Sequence, residues 1–135
     1  MRIVADSHAL VFYLFTPARL SEPALEALLE AEDTDGIVVS AATLADLWYA
    51  SQKTGSTAVA PGVFEQIYTT LVDPATNLVV HPISAATIAH FGIVPREQLR
   101  DPFDRLIVAT AAQLRTALVT ADRAISATGA VRVIW

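Results

Sequence analysis

Cysteine is missing from all 135 residues. Its absence excludes disulfides, thiolate catalysis and zinc–sulfur centres. Positive charge is scarce too. Nine lysines and arginines, with Lys53 the sole lysine, stand against fourteen aspartates and glutamates, for a formal net charge of −5. A protein that coats nucleic acid by bulk attraction is not built this way. A phosphate can still be reached where bound divalent cations reverse the local sign. No apolar run approaches the roughly 18–20 residues that cross a bilayer, so no membrane association is expected. The stretch Ala9–Phe15 has the look of a signal-peptide core. However, Asp6 and His8 stand where such a segment should be apolar, and no small-residue cleavage site follows cleanly. A cytoplasmic protein is the expectation.

Apolar residues are plentiful at 53%, above the usual share for a soluble domain. That suffices for one core with a surplus for an interface. No repeat, low-complexity tract or linker divides the chain, so residues 1–135 should form a single domain. Arg2-Ile3-Val4-Ala5, Gly36-Ile37-Val38-Val39, Leu78-Val79-Val80, Ala117-Leu118-Val119-Thr120 and Val131-Arg132-Val133-Ile134 are short apolar strands. Helices fall between them. Ser21 caps one with Leu25, Leu28 and Leu29 at helical spacing, and Ser40 caps another whose apolar stripe is Leu44, Leu47 and Trp48. Pro61 starts a third, with Val63, Phe64, Ile67, Tyr68 and Leu71 on one face. Ser84 to Phe91 is a short helix for Gly92 to end, and Asp101-Pro102 opens a long one to about Arg115. Apolar strands alternating with helices indicate a parallel sheet covered on both faces, and such folds bind ligands beyond the carboxyl ends of the strands.

Four aspartates fall at that rim. Asp6 follows the first strand, and Asp122 lies two residues after Leu118-Val119-Thr120. Asp46 is on the helix after the second strand, sharing a face with Ala42, Tyr49 and Lys53, and Asp104 is in the first turn after Asp101-Pro102. Each admits a plainer reading: Asp6 as the cap of a helix starting near Ser7, Asp122 as a turn residue, Asp46 as part of a solvated face. Asp101, before Pro102, fits the N-cap and leaves Asp104 free. Carboxylates gathered together raise one another's pKa, and a hard cation such as Mg²⁺ or Mn²⁺ offsets the repulsion. A helix N-terminus favours negative charge by only about 0.3–1 kcal/mol, too little to replace the ion.

Three segments resemble the PIN-domain nucleases, in particular the VapC-type toxins of bacterial toxin–antitoxin pairs. They are Ile3-Val4-Ala5-Asp6-Ser7-His8-Ala9-Leu10, Asp101-Pro102-Phe103-Asp104-Arg105-Leu106-Ile107-Val108-Ala109 and Leu118-Val119-Thr120-Ala121-Asp122-Arg123. The resemblance spans nearly the whole chain. It implies a three-layer α/β/α fold with a central, mainly parallel sheet, and acidic metal ligands at Asp6, Asp46, Asp104 and Asp122. It further implies metal-dependent cleavage of RNA, an antitoxin protein as partner, and a homodimer. Asp46 departs from the family pattern, where glutamate is common, and Leu99-Arg100 stands where many relatives carry a histidine.

Around these four, Ser7 and Thr120 could orient a carboxylate or water, or serve as caps. Arg105 and Arg123 could steady phosphates or pair with neighbouring carboxylates. Lys53 could touch RNA. His8, His81 and His90 are not spaced as a metal set, and Glu26, Glu30, Glu32, Asp33 and Asp35 form a solvated acidic face. A response-regulator domain would need a phosphoacceptor aspartate and a lysine that Leu78–Pro82 and Val131–Val133 do not supply. Two rivals remain open. One is a PIN-like fold, weakened at Asp46, that binds RNA or a partner without cutting. The other is a nuclease acting on DNA, since RNA is favoured by the resemblance alone and nothing in the sequence reads a 2′-hydroxyl.

Overall fold

The computed structural model describes residues 2–53 and 60–135. Five strands form its sheet: β1 (Ile3–Ala5), β2 (Ile37–Ser40), β3 (Leu78–His81), β4 (Leu118–Val119) and β5 (Val133–Ile134). They lie in the order β3-β2-β1-β4-β5, and every pairing is parallel. The expectation of a mainly parallel sheet therefore sharpens to a wholly parallel one.

Alternation along the strands divides the core in two, because successive side chains leave opposite faces. Ile3, Ala5, Ile37, Val39 and Val119 face one cluster, completed by α1 (Ser7–Phe15), α2 (Glu22–Asp33) and α4 (Val63–Val72). Val4, Val38 and Leu118 face the other, completed by α6 (Pro102–Leu114) and α7 (Arg123–Thr128). Helix α3 (Ala41–Gln52) contributes Leu47 to the first cluster and Ala42 to the second, so it crosses the carboxyl edge of the sheet. The result is three layers, α/β/α.

Local chemistry sets most boundaries. Ser21 and Ser40 cap α2 and α3, accepting from the N–H groups of Ala24 and Ala42 at 3.2 and 3.1 Å. Several boundaries differ from the sequence reading. The helix expected from Pro61 begins at Val63, because Gly62 before it takes a left-handed φ of 84°. The helix expected over 84–91 shortens to α5 (Ala85–Ile88), held by a Ser84–Thr87 capping box. Gly92 does not end it but sits inside a 3-10 turn, Phe91–Ile93. Trp48, expected in an apolar stripe, is 46% exposed, while Leu47 beside it is buried. Among the described residues, no helix is long and apolar enough to cross a membrane.

Candidate active site

Asp6 and Asp122 sit where a strand hands over to a helix. Asp46 lies between one and two turns into α3, which follows β2, and Asp104 is in the first turn of α6, which follows a 3-10 turn rather than a strand. Asp6 ends β1 and caps α1. Its Oδ1 accepts from the Ala9 N–H at 2.8 Å, and its Oδ2 accepts a short hydrogen bond from the Thr120 hydroxyl. Thr120 Oγ1 in turn accepts from the Asp122 N–H at 3.0 Å, so one hydroxyl ties the ends of β1 and β4 together. Asp46 on α3 accepts from Ser7 Oγ at 2.8 Å, which joins α3 to the start of α1. Asp122 caps α7, with Oδ1 accepting from Ala124 and Ile125 N–H at 2.8 and 3.3 Å. Asp101 caps α6 through the N–H groups of Phe103 and Asp104 at 2.8 and 3.2 Å. Among the described residues, Asp104 alone of the four has a side chain with no hydrogen-bond donor.

The electrostatics show that these groups share one space. Burial pushes the Asp104 carboxyl up to about 7, and the charges of Asp101, Asp122, Asp46 and Asp6 push it the same way. No basic group pulls it down. Asp6 is 6% exposed, and its pKa is raised by burial and by Asp122 against the lowering pull of Thr120, Ala9 and His8. The four converge without closing on a point. Among the described residues, no three acidic, histidine or cysteine side chains stand close enough together to enclose an ion. Magnesium does not require such a cage, since it keeps several waters and binds through one or two carboxylates. Oxygen-only donors, with no basic side chain lowering Asp104 and only His8 acting on Asp6, suit a hard divalent cation.

The arginines divide. Arg105 donates to four backbone carbonyls: Phe91 at 2.6 Å, Val94 at 2.7 Å, Pro95 at 3.2 Å and Leu99 at 2.7 Å. Its donors therefore lie on main-chain oxygens of the segment before α6 rather than on a carboxylate or an open phosphate site. Arg123 is exposed at the start of α7. Lys53 does not continue the Asp46 face of α3, because the helix stops at Gln52 and Lys53 is extended, with ψ 159°. His81 ends β3, where its ring bonds to Gln113, and His90 bonds to the Ala86 carbonyl.

One residue on the Asp46 face was placed by the sequence but given no role. Tyr49, on α3, packs on Trp48 at 5.1 Å and on Phe103 of α6 at 5.8 Å between ring centroids. Its i+3 spacing from Asp46 was the available signal.

A wholly parallel α/β/α sheet with aspartates at its carboxyl rim belongs to the class of open α/β folds that bind ligands beyond the carboxyl ends of the strands. The PIN domain family model matches residues 3–131, and the chain belongs to that family. PIN domains are generally nucleases and generally use divalent metals. Solved structures agree on the fold. VapBC2 from Rickettsia felis, bound to a promoter DNA fragment, is 16% identical with a TM-score of 0.71, over 98% of this chain and 97% of that one. DNA-bound VapBC from Salmonella typhimurium is 18% identical, with a TM-score of 0.69 and coverage of 98% and 96%. VapBC-5 from Mycobacterium tuberculosis is 19% identical, with a TM-score of 0.59 and coverage of 98% and 97%. No curated protein matches the chain in sequence.

Proposed function

We propose that this chain is a divalent-metal-dependent endoribonuclease, the toxin of a toxin–antitoxin pair, cutting RNA by hydrolysis. The observation that carries the reading is Asp104, whose carboxyl accepts no hydrogen bond among the described residues and is pushed up to about 7 by burial and four acidic neighbours. Its repulsion is relieved by a proton or by a cation from outside, and only the cation does so above about pH 7.

Asp6, Asp46, Asp104 and Asp122 are the residues that would hold Mg²⁺ or Mn²⁺. Bound there, the cation supplies Lewis-acid stabilisation of the phosphate and a water acidic enough to attack in line. The chain's own part is positioning. Two donors lock the Asp6 carboxylate, and Ser7 fixes one oxygen of Asp46. Asp122 offers its Oδ1 to the backbone of α7, which leaves Oδ2 for a ligand or water. Asp104, without a bonding partner, is the group best able to take a metal or hold a proton as the charge changes.

The proposed antitoxin partner rests on the relatives, solved as VapBC complexes. RNA as the substrate and a homodimer as the working form rest on the family resemblance. The test is cleavage of a mixed RNA pool by purified, partner-free protein with Mg²⁺, Mn²⁺ or EDTA, alongside Asp104→Asn. Cutting that needs metal and vanishes in the variant supports the reading. Folded protein that cuts nothing, or a variant that cuts equally well, removes it. In that case the second reading takes over: a PIN fold that binds RNA or a partner without cutting, favoured by the shorter Asp46 and by the absence of a closed carboxylate trio among the described residues.

A further inference from the structure

On the opposite edge of the sheet from the aspartates, the last turn of α6 and the turn leading into β5 border an open cleft of about 390 Å³. Its lining is aliphatic: Ala111, Ala112, Ala117, Ala130 and Val131, together with Ile93, which is 44% exposed. Two charges stand in this lining, Arg115 and Arg132, and both are positive. Among the described residues, no carboxylate and no aromatic ring lines it. Neither guanidinium has a hydrogen-bond or ion-pair partner among the described residues. Arg132 also borders a second cleft, beside Glu26 and Glu30 of α2, yet it makes no ion pair with either. The chain has only nine lysines and arginines, so two unpaired ones meeting at one aliphatic cleft are not part of an abundant basic surface.

Arg115 is held there against its backbone preference. It ends α6 at φ 52° and ψ 47°, and among the described residues it is the only one besides glycine with a positive φ. Glycine is the usual residue at such a helix end, because a Cβ is strained there. A cation after a helix C-terminus is favourable by itself, but that accounts for Arg115 alone. Arg132 comes from another element: it immediately precedes β5, and its carbonyl accepts from the Leu118 N–H at 2.8 Å.

We infer that this cleft binds a small amphiphilic anion, with an aliphatic body against the alanines and one carboxylate or phosphate head between the two arginines. Guanidinium forks match either head group. An aliphatic wall with a few charged groups, at this volume, has the character of a small-molecule site. A nucleotide fits poorly, because its base would find no ring to stack on and no amide or carboxylate side chain to read its edge. Arg115 lies about 16 Å from Asp104 along α6, so occupancy of the cleft is read without RNA or metal and does not depend on the nuclease reading.

The test is an NMR titration of the full-length, partner-free protein with octanoate and with octyl phosphate, both kept below their micellar concentrations. Saturable shifts should fall on the amides of Ala111, Ala112, Ala117 and Val131, and the tighter ligand identifies the head group. Octanol, octylammonium and inorganic phosphate should each bind at least about tenfold more weakly, since each lacks one half of the match. Arg115→Gly is the decisive variant. It removes the guanidinium and the backbone strain together, so its melting temperature should hold or rise. Its affinity for the anion should nevertheless fall roughly tenfold or more. Arg132→Gln should weaken binding to a similar degree. Octanol bound as tightly as octanoate would reduce the cleft to an apolar patch and overturn the proposal. So would an anion that binds Arg115→Gly and Arg132→Gln as well as it binds the wild type, or adenosine monophosphate binding more tightly than octyl phosphate. The absence of any saturable shift with either anion overturns it too.

Discussion

Asp104 and Arg105 are adjacent in the first turn of α6, yet they look onto different regions and have opposite fates. Arg105 faces the segment before the helix and donates to four carbonyls there. Asp104 faces the carboxyl rim of the sheet, where it has no hydrogen-bond donor and four acidic neighbours. Both groups are charged and partly buried. A partly buried charge that is fully bonded is architecture: it ties a stretch with little secondary structure to the core. A partly buried charge left unbonded costs stability, and a fold keeps it where a ligand is to meet it.

The sharpest way to break this comparison is to neutralise both charges in turn. Asp104→Asn should lower metal-dependent cleavage by at least about a hundredfold, the scale of losing one group that stabilises transition-state charge. Its stability should move the other way. A carboxyl raised from 3.8 to about 7 holds a proton in the folded state that the unfolded chain has already released. Metal-free wild type should therefore lose stability as pH rises from about 4 to 7, with the penalty complete above that. Urea melts across that range should show the slope in the wild type, a much smaller one in Asp104→Asn, and relief on adding Mg²⁺. A slope that survives the substitution would place the strain elsewhere. Arg105→Ala should do the reverse, costing on the order of 3 kcal/mol because several charge-assisted hydrogen bonds are lost together. Its cleavage should follow the folded fraction. An Arg105→Lys protein of wild-type stability with no activity would return Arg105 to the phosphate.

The same contrast explains what was legible in the sequence. The strands were visible because their residues are apolar on both faces, and the rim aspartates because parallel sheets direct ligands to that end. Asp101 was separable from Asp104 because Pro102 marks the first helical position, and Asp101 does cap α6. Interactions across long stretches of chain were not legible. Nothing local to Arg105 announces carbonyls at 91, 94, 95 and 99, and nothing local to Thr120 announces a hydrogen bond to Asp6, 114 residues away. Helix ends failed where geometry outran composition. Gly62 delays α4 past the expected start at Pro61, and Gly92, expected to end a helix, lies in a 3-10 turn. The exposed aromatics were misjudged for a related reason. Trp48 was placed in an apolar stripe with Leu44 and Leu47, and only the packed structure shows that Leu47 is buried while Trp48 is not.

Smaller effects sharpen the rule that unbonded polar groups mark chemistry by testing where it stops. Asp101→Ala removes a cap with two backbone partners and should cost about 1 kcal/mol in a urea melt. Cleavage should change little, because Asp101 is occupied by the helix. Thr43 is the harder case. It is fully buried on α3, one turn before Asp46, and its hydroxyl has no hydrogen-bond partner among the described residues. If every unbonded polar group near the rim were kept for the reaction, Thr43→Val would damage cleavage. A neutral hydroxyl without a partner is only a modest burden, and valine of the same shape removes it, so the substitution should be neutral or stabilising by up to about 1 kcal/mol. Melting temperature and cleavage rate measured on the same preparation decide between the two. Higher stability with unchanged activity confines the rule to charged groups, whereas a slower reaction in a fully folded protein brings the Thr43 hydroxyl into the site.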